Sequence, residues 1–204
     1  MTELRVHNLS VSLDGYVAGP DQSEANPLGV GGEQLHEWIF SPEATDVDRR
    51  LRARGEQGIG ATIMGRNMFG PVRGPWSGAE DWTGWWGENP PFHHDVFVLT
   101  HEDRDPVPMA GGTTFHFVTD GIEAALERAT AAAGGQDVRL GGGASTVQQY
   151  LRAGLLDELH LAVVPVLLGS GARLFEDLTG ALDGWGSVEF APSAAVAHVR
   201  LRRL

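Results

Sequence analysis

The sequence predicts an α/β protein whose sheet is mostly parallel and ends in an antiparallel C-terminal hairpin. Three observations support this fold class. Apolar segments of strand type alternate with amphipathic segments along most of the chain, as they do when helices connect parallel strands. Glycine marks a strand-to-helix turn within residues 61–69 and again within 138–147. Residues 187–191 and 195–201 are predicted to pair as a terminal hairpin.

In the first half of the chain, residues 4–13 alternate apolar and polar side chains, which predicts a half-buried strand. Ser41-Pro42-Glu43 is typical of a helix start, because serine caps free N–H groups and proline fits the first turn. We therefore predict a helix from Ser41 to about Gly55. The other elements predicted here are a strand continuation at 16–18, a short helix at 34–40 and a strand at 61–64.

In the second half, Asp120 is predicted to cap a helix that runs through Ala133 and ends at Gly134-Gly135. Pro165 is predicted to end a strand, because proline cannot donate a ladder hydrogen bond. The other predicted elements are strands at 95–100, 114–118, 138–140 and 158–164 and a helix at 145–153. Residues 70–94 are rich in glycine, proline and tryptophan without periodicity, which predicts a long loop that is either functional or mobile.

Composition limits the class of protein. The chain has 204 residues, 42% of them hydrophobic, and we predict a single domain over 1–204 with the loop at about 70–94 as an insertion. The formal net charge of −12 argues against nucleic acid or an anionic membrane as partner. The absence of cysteine excludes disulfides, thiolate catalysis and cysteine-ligated zinc. No signal peptide or membrane-spanning stretch is visible, so we expect a cytoplasmic protein.

Glycines 141–143 form the strongest candidate ligand site. Glycine lets the backbone approach a pyrophosphate closely, and the helix that follows presents free N–H groups at its positive end. A tight turn between packed elements would use the same residues, so both interpretations stay open. Gly65-Arg66 repeats the pattern more weakly, although arginine can bind a phosphate through two hydrogen bonds. Thr100-His101 either contacts a ribose phosphate or is an ordinary polar strand exit.

Four tryptophans lie in the predicted loop, where they line a pocket for a flat substrate, cover the core or form a dimer contact. They are Trp76, Trp82, Trp85 and Trp86. We discount His93-His94 as metal ligands, because adjacent residues of an extended segment point in different directions and no third ligand is near in sequence. The acid–base candidates, among which the sequence does not choose, are Asp14, Glu33, Glu37 and Glu176.

The order of several short motifs resembles a known family. In chain order the motifs are Ser12-Leu13-Asp14-Gly15, Trp38 before Ser41-Pro42-Glu43-Ala44, Met64-Gly65-Arg66, Leu140-Gly141-Gly142-Gly143 and Pro165-Val166-Leu167-Leu168-Gly169. Together they resemble the dihydrofolate reductase-like superfamily, and more closely the reductase domain of the bifunctional riboflavin-biosynthesis deaminase–reductase. The resemblance extends from about Leu4 to the C-terminus.

The resemblance implies a three-layer fold with a central mixed sheet between helices, NADPH as hydride donor and a homodimer. It also implies a division of the cofactor site along the chain. The implied cofactor residues are Gly65, Arg66, Asn67 and Met68 at the phosphates, Thr100 and His101 at the adenosine ribose phosphate, and Gly141, Gly142, Gly143, Ala144, Ser145 and Thr146 along the pyrophosphate towards the nicotinamide. Asp14 would lie at the substrate and nicotinamide end.

Three departures limit what the resemblance implies. A chain without cysteine cannot build the deaminase zinc site. The acid that true dihydrofolate reductases carry in their first helix has no secure counterpart, because Glu33 and Glu37 align poorly. A tryptophan-walled pocket suits a flatter, more apolar molecule than a phosphorylated ribityl compound. Pterin, riboflavin-precursor and unrelated carbonyl or imine substrates therefore stay open.

The predicted function is an NADPH-dependent reductase of a small heterocyclic, imine or carbonyl substrate, without a metal. Asp14 is the predicted substrate-orienting or proton-relay group. The predicted pocket residues are Trp38, Phe69, Trp82 and Trp86. Two alternatives stay open: a non-catalytic nucleotide- or small-ligand-binding protein that retains the scaffold, and an assembly subunit whose indoles form an interface.

Overall fold

The computed structural model describes residues 2–71, 74–79 and 81–204 of the chain. Residues 72, 73 and 80 of the predicted loop lie outside the described residues. In chain order the strands are β1 (Leu4–Ser12), β2 (Tyr16–Ala18), β3 (Ile59–Gly65), β4 (Asp95–Leu99), β5 (Val107–Pro108), β6 (Thr114–Val118), β7 (Asp137–Leu140), β8 (Glu158–Val164), β9 (Ala172–Arg173), β10 (Trp185–Pro192) and β11 (Ala197–Arg203). The α-helices are α1 (Glu37–Phe40), α2 (Asp46–Glu56), α3 (Arg66–Phe69), α4 (Ile122–Ala132) and α5 (Ala144–Arg152), and 3-10 turns occupy Gly32–Leu35 and Ala110–Gly112.

The main sheet has the strand order β10-β11-β8-β1-β7-β3-β4-β6-β5. Neighbouring strands from β8 to β6 run parallel. The strands β5, β10 and β11 pair antiparallel. The short strands β2 and β9 form a separate two-stranded sheet. The predicted α/β class, with a mostly parallel sheet and an antiparallel C-terminal hairpin, is confirmed.

Helices cover both faces of the sheet. Because successive side chains of each strand point to opposite faces, neighbouring residues of one strand pack against different helical layers. On β1, Leu4 and Val6 join the largest core cluster, to which α4 and α5 also contribute. The neighbouring Arg5 and His7 face α2: Arg5 donates to the backbone carbonyl of Gln57 at 2.9 Å, and His7 contacts Arg54. The three layers are therefore helix, sheet and helix.

Two helix starts differ from the predictions. Helix α2 begins at Asp46 rather than near Ser41, because the side chains of Thr45 and Asp48 form a reciprocal capping box with the backbone. Helix α4 has Gly121 as its N-cap, and none of the described side chains caps it. The carboxylate of Asp120 instead accepts a hydrogen bond from Arg128 at 2.5 Å. At α4, a side chain further along the chain thus pairs with the polar group that local propensity assigned to the cap.

The predicted helix at 34–40 is interrupted. A 3-10 turn ends at Leu35, and the single-turn helix α1 begins at Glu37, so the two meet at His36.

The longer strands of the main sheet were predicted to within a few residues of their observed ends, but the short strands β5 and β9 were missed. A two-residue strand carries no alternation that a sequence pattern can reveal.

Candidate functional site

The carboxyl ends of β3, β4, β6 and β7 open into a cleft of about 1400 Å³. The strand ends at this cleft are marked by Gly65, Leu99, Val118 and Gly141. In open parallel sheets, ligands bind outside the carboxyl ends of the strands. Pockets for single small molecules usually measure about 300–1,000 Å³. The cleft therefore has room for a dinucleotide and a second molecule.

The predicted cofactor residues converge on this cleft, and Gly142 is the exception. Those that line it are Gly65, Arg66, Asn67, Met68, Thr100, His101, Gly141, Gly143, Ala144, Ser145 and Thr146. Gly142 instead joins the two glycine turns, because its carbonyl oxygen accepts a hydrogen bond from the Gly65 N–H at 2.7 Å. A Cβ atom on Gly65 would collide with Thr146 Oγ1, so a larger residue there would force the Thr146 side chain to move.

Helix α5 starts at the cleft with free backbone donors. Gly143 is its N-cap, and no side chain in the described part of the chain caps it. The N–H groups of Ala144, Ser145 and Thr146 belong to the first helical turn and have no acceptor within the helix. A Cβ atom on Gly143 would meet nothing within 4 Å, so the backbone there faces open space. This end of the cleft is suited to an anion.

Arg66 provides positive charge elsewhere in the cleft. Its helix α3 is a single turn of four residues, so the dipole predicted for this turn is small and the side chain matters more. The Arg66 guanidinium lies 2.9 Å from the centroid of the Trp76 ring, and that of Arg104 lies 4.7 Å from it. Burial, together with the charge of Arg104, lowers the pKa of Arg66 to about 10, so Arg66 remains cationic at neutral pH.

The turn after β4 is tied to this arginine-stacked indole. Thr100 and His101 line the cleft there, together with Glu102. The Thr100 hydroxyl oxygen accepts a hydrogen bond from the Glu102 N–H at 3.1 Å, and the Glu102 carbonyl accepts one from the Trp76 indole, also at 3.1 Å. The backbone that carries Thr100 and His101 is therefore fixed relative to Arg66.

The loop tryptophans serve both the core and the cleft. Trp86 lines the cleft as predicted, and Trp85, which was not among the predicted pocket residues, lines it too. Trp76 is buried in a core cluster with β3, β4 and β6 side chains, and Trp82 packs against that cluster. The described loop thus covers one end of the sheet and supplies one wall of the cleft.

The remaining predicted pocket residues do not line the cleft. Phe69 is fully buried in the same cluster, and its carbonyl accepts a hydrogen bond from the Trp82 indole at 2.9 Å. Trp38 is buried in a different cluster, where its indole donates to Ser10 Oγ at 3.0 Å and meets His198 edge-on. These aromatic side chains are held by core packing, which the sequence could not distinguish from a pocket wall.

Asp14 also lies outside the residues that line the cleft. Its carboxylate accepts hydrogen bonds from the Ser12 hydroxyl at 2.6 Å and from the N–H groups of Leu168 and Gly169 at 3.1 and 2.7 Å. The Ser12 hydroxyl and these two N–H groups lower the pKa of Asp14 to about 2, so the carboxyl carries no proton at neutral pH. Asp14 joins the turn after β1 to the segment after β8.

Among the other acid–base candidates, only Glu176 lines the cleft, because Glu33 and Glu37 are exposed outside it. The residue of this segment that lines the cleft is His36, which the sequence analysis did not single out. Its Nδ1 atom is buried, burial lowers the pKa of the imidazole, and the Gly32 backbone partly offsets this effect through a hydrogen bond. In the sequence, His36 directly follows the apolar Leu35 and lies between Glu33 and Glu37. This pattern is the signal that could have identified it.

Arg173 and Gln148 are further cleft residues that the sequence analysis missed. Arg173 of β9 donates to the Tyr16 hydroxyl at 3.0 Å, and Gln148 of α5 donates to the Arg173 carbonyl at 2.9 Å. Pairing of β2 with β9 brings Arg173 to the cleft, and Gln148 reaches it from α5. Because that pairing joins segments more than 150 positions apart, no local motif marks them.

Across residues 2–71, 74–79 and 81–204, no group of three or more His, Cys, Asp or Glu side chains is placed to hold a metal ion. The adjacent histidines contact different partners: His93 Nδ1 lies 2.9 Å from the Gly111 carbonyl, and His94 Nε2 lies 2.8 Å from Thr62 Oγ1. In the same described ranges, no helix has both the length and the apolar character that crossing a membrane requires.

The fold and the cleft define the class of this protein: a three-layer α/β protein with a ligand cleft at the carboxyl ends of its parallel strands. Residues 6–189 match the model of the RibD C-terminal domain, and the chain belongs to that family. The family seen in the sequence motifs is thereby confirmed.

Two curated relatives come from Bacillus subtilis (strain 168). The uncharacterized protein YwjB is 34% identical over 68 residues, which are 32% of this chain and 39% of that protein. The uncharacterized protein YyaP is 46% identical over 44 residues, which are 22% of this chain and 23% of that protein. The similarity thus spans well under half the length of either relative.

Solved structures share the fold along the whole chain. A candidate riboflavin biosynthesis protein from Shewanella sp. PV-4 has a TM-score of 0.64 at 23% identity, covering 100% of this chain and 99% of that one. Dihydrofolate reductase from Enterococcus faecalis, complexed with NADP(H), has a TM-score of 0.55 at 16% identity, covering 99% and 96%. The diaminohydroxyphosphoribosylaminopyrimidine deaminase/5-amino-6-(5-phosphoribosylamino)uracil reductase of Thermotoga maritima has a TM-score of 0.59 at 12% identity, covering 100% and 57%. At these identities the similarity establishes a common fold.

Proposed function

We propose that this protein is an NADPH-dependent reductase that transfers a hydride to a small heterocyclic, imine or carbonyl substrate. The observation that carries the proposal is one continuous cleft that joins the uncapped start of α5 to Arg66. A phosphorylated dinucleotide presents a pyrophosphate and a separate ribose phosphate. The start of α5 suits the pyrophosphate, and the positive charge of Arg66 suits the ribose phosphate. Membership of the RibD C-terminal domain family supports the same assignment.

The residues at the cleft fit such a cofactor. The open space at Gly143 admits a pyrophosphate against the N–H groups of Ala144 and Ser145. Arg66 would hold the ribose phosphate with Thr100 and His101, which line the cleft on a fixed turn. The formal net charge of −12 repels an anionic cofactor, so binding one requires local N–H donors and positive charge of this kind.

The proposed chemistry divides simply between cofactor and protein. Bound NADPH supplies the hydride, whereas the protein orients the reactants and excludes water. Leu9, Val17 and Met68 give the cleft apolar wall, and Trp86 adds an aromatic one. A second molecule enclosed by these side chains would meet the cofactor with little water between them.

The alternative is a ligand-binding protein that retains the scaffold without the reaction. One observation favours it: the Asp14 carboxylate, held by three hydrogen bonds outside the cleft, has no proton to donate at neutral pH. The reductase therefore needs its proton from solvent or from another cleft residue.

Oxidation of NADPH by the purified protein, followed against a panel of 7,8-dihydropterin, cyclic imines and small carbonyl compounds, tests the proposal. We expect saturable NADPH binding and turnover of at least one compound, with NADH a poorer donor. Tight NADPH binding without turnover across the panel would favour the ligand-binding alternative. A lack of saturable NADPH binding would overturn the reductase assignment.

A further inference from the structure

We propose that His160 is a positioning residue of the cleft: its imidazole holds a bulge in β1 that turns Leu9 against the glycine turn at Gly142. The inference rests on the proposed function and deepens it, because Leu9 lines the cleft in which we place the cofactor. His160 itself is buried and is not among the residues that line the cleft, so it acts through the backbone of β1.

Strand β1 carries the bulge at its centre, where its register with β8 shifts between Val6 and Leu9. The two residues between them, at positions 7 and 8, oppose the single residue His160 of β8. Asn8 has a φ of 54°, in the left-handed region that asparagine tolerates better than most residues. An extra residue of this kind reverses the alternation of side chains along the strand.

This reversal decides which side chains of β1 face the cleft. Before the bulge, Val6 packs in the core cluster to which α4 and α5 contribute. After the bulge, Leu9 and Val11 pack against that same cluster, although an unbroken alternation would have pointed them to the other face of the sheet. Ser10 faces that other side instead, where its Oγ accepts a hydrogen bond from the Trp38 indole at 3.0 Å.

In this orientation Leu9 contacts the middle of the glycine turn. Its Cδ1 atom lies 3.8 Å from the position that a Cβ atom on Gly142 would take, which is ordinary van der Waals contact. The Gly142 carbonyl accepts the hydrogen bond from the Gly65 N–H and so joins the two glycine turns. The placement of Leu9 therefore affects the backbone on which the proposed pyrophosphate site depends.

The bulge needs an additional hydrogen-bond acceptor, and His160 provides it. The extra residue of a bulge is left out of the strand ladder, so its N–H must find another partner. The Asn8 N–H donates to His160 Nδ1 at 3.3 Å. Asn8 is also tied to α2, because its Nδ2 donates to the Arg52 carbonyl at 3.3 Å. The imidazole therefore holds the backbone at the residue that precedes Leu9.

A chain of hydrogen bonds fixes the tautomer of this imidazole. Because the Asn8 N–H can only donate, Nδ1 of His160 carries no proton. The proton of the neutral ring is then on Nε2, which donates to His198 Nδ1 at 3.1 Å. His198 Nε2 in turn donates to an Asp48 carboxylate oxygen at 2.9 Å. Burial lowers the pKa of His160 to about 3, so the ring is neutral at neutral pH.

Two substitutions at His160 separate its two nitrogen atoms. In His160→Asn the amide oxygen takes the place of Nδ1 and can accept from the Asn8 N–H. In His160→Gln the longer amide reaches the place of Nε2 and leaves the Asn8 N–H without this acceptor. Each variant removes one hydrogen bond from the same buried position, so a general loss of packing would affect the two alike. His116→Gln is the control, because His116 is partly exposed and does not line the cleft.

The experiment has a binding readout and a readout without cofactor. NADPH is titrated calorimetrically into the wild type and the variants. In the cofactor-free proteins, NMR measures the Overhauser effect between the Leu9 methyl groups and the Gly142 α protons. The protonation of each imidazole nitrogen of His160 is read from the NMR spectrum of the wild type.

We expect His160→Gln to raise the dissociation constant of NADPH by about tenfold, as loss of one buried hydrogen bond does. His160→Asn should recover most of that loss, and His116→Gln should bind NADPH as the wild type does. The Overhauser effect between Leu9 and Gly142 should persist in the wild type and in His160→Asn and weaken in His160→Gln. In the wild type, Nε2 of His160 should carry the proton and Nδ1 none.

Equal NADPH affinity in His160→Gln and His160→Asn, or a proton on Nδ1 in the wild type, would overturn the proposal. Failure of the wild type to bind NADPH contradicts the proposed function instead, and the Overhauser effects of the cofactor-free proteins then decide the role of His160. Should neither substitution at His160 give a folded protein, the wild-type tautomer decides: an unprotonated Nδ1 supports the proposal, and a protonated one contradicts it.

Discussion

At the level of single residues, Arg66 is the side chain that we propose distinguishes NADPH from NADH. Its guanidinium is stacked on Trp76 in the cleft and stays cationic despite a lowered pKa. Stacking on an indole fixes the plane of the guanidinium. A guanidinium has paired N–H groups, which can bind a phosphate through two parallel hydrogen bonds.

The substitution Arg66→Ala should therefore weaken NADPH far more than NADH. We expect the dissociation constant of NADPH to rise by at least about tenfold more than that of NADH, because a bidentate charge-assisted contact to the 2′-phosphate is lost. Calorimetric titration of both cofactors measures the difference. Arg128→Ala is the matched control, since Arg128 is exposed and pairs with Asp120. An equal loss for both cofactors would place Arg66 at the pyrophosphate or in a purely structural role.

The contrast between Gly143 and Asp14 shows what a local sequence pattern reports at this scale. Gly143 was identified from the run of three glycines before a helix. The same lack of side chains leaves the Gly143 backbone open to the cleft. Asp14 was expected at the substrate and nicotinamide end because its motif, Ser12-Leu13-Asp14-Gly15, resembles that of the family. The N–H groups that hold its carboxylate belong to Leu168 and Gly169, more than 150 positions away, and no local pattern shows them.

At the scale of elements, the contact between α2 and the strands β1, β8 and β11 is polar. Glu158 of β8 is fully buried and accepts hydrogen bonds from Arg54 at 2.6 Å and Arg200 at 3.1 Å. His160 shares a 3.1 Å hydrogen bond with His198, which in turn lies 2.9 Å from an Asp48 oxygen. Buried groups of this kind titrate abnormally, so the stability of this layer should depend on pH.

Acidification should destabilise the protein well above the pH at which surface carboxylates titrate. Burial lowers the pKa values of His7 and His160 to about 3. The unfolded chain therefore binds their protons first, and stability falls as the pH drops from about 6.5 towards 3. Glu158, with a pKa lowered to about 2 by Arg200 and Arg54 against the cost of burial, adds a loss in the same direction below about pH 4.5.

Chemical denaturation at a series of pH values measures this dependence. We expect a loss on the order of a few kcal/mol between pH 6.5 and 4, and a smaller loss in His160→Gln. His116→Gln is the control, because His116 is partly exposed at the other side of the sheet. A wild-type stability that stays constant from pH 6.5 to 4 would contradict the assignment of neutral, buried histidines.

The sequence predicted the ends of helices and strands best where a single residue, such as a proline, ends the element. Strand β8 was predicted at 158–164 and observed as Glu158–Val164, because Pro165 ends its ladder. The start of helix α2 was predicted too early in the chain. Both Ser41-Pro42-Glu43 and Thr45 with Asp48 resemble helix caps, but the helix begins at the second of them. The polar face of β1 and β8 was missed, because alternation identifies two faces but not what covers the second one.

At the scale of the whole molecule, the sheet order creates the cleft. It brings β7 next to β3, so that the turns at Gly65 and Gly141, far apart in sequence, come into contact through the Gly65 N–H and the Gly142 carbonyl. Family membership allowed this arrangement to be predicted from the sequence, whereas the cleft wall formed by Trp85, His36 and Arg173 depends on packing that motifs do not encode. The homodimer and the cytoplasmic location stay predictions.

The central claim is that NADPH binds with its pyrophosphate at the start of α5, and the substitution Ser145→Asp tests it most directly. Ser145 is exposed in the first turn of α5, so a carboxylate there suits the helix dipole and repels a bound phosphate. Calorimetric titration of NADPH into the wild type, Ser145→Asp and Ser145→Ala is the measurement, with thermal melts of all three. We expect one saturable site in the wild type, binding about tenfold weaker or worse in Ser145→Asp and little change in Ser145→Ala. The melting temperature of the aspartate variant should be unchanged or raised. Equal NADPH affinity in the wild type and Ser145→Asp would contradict it.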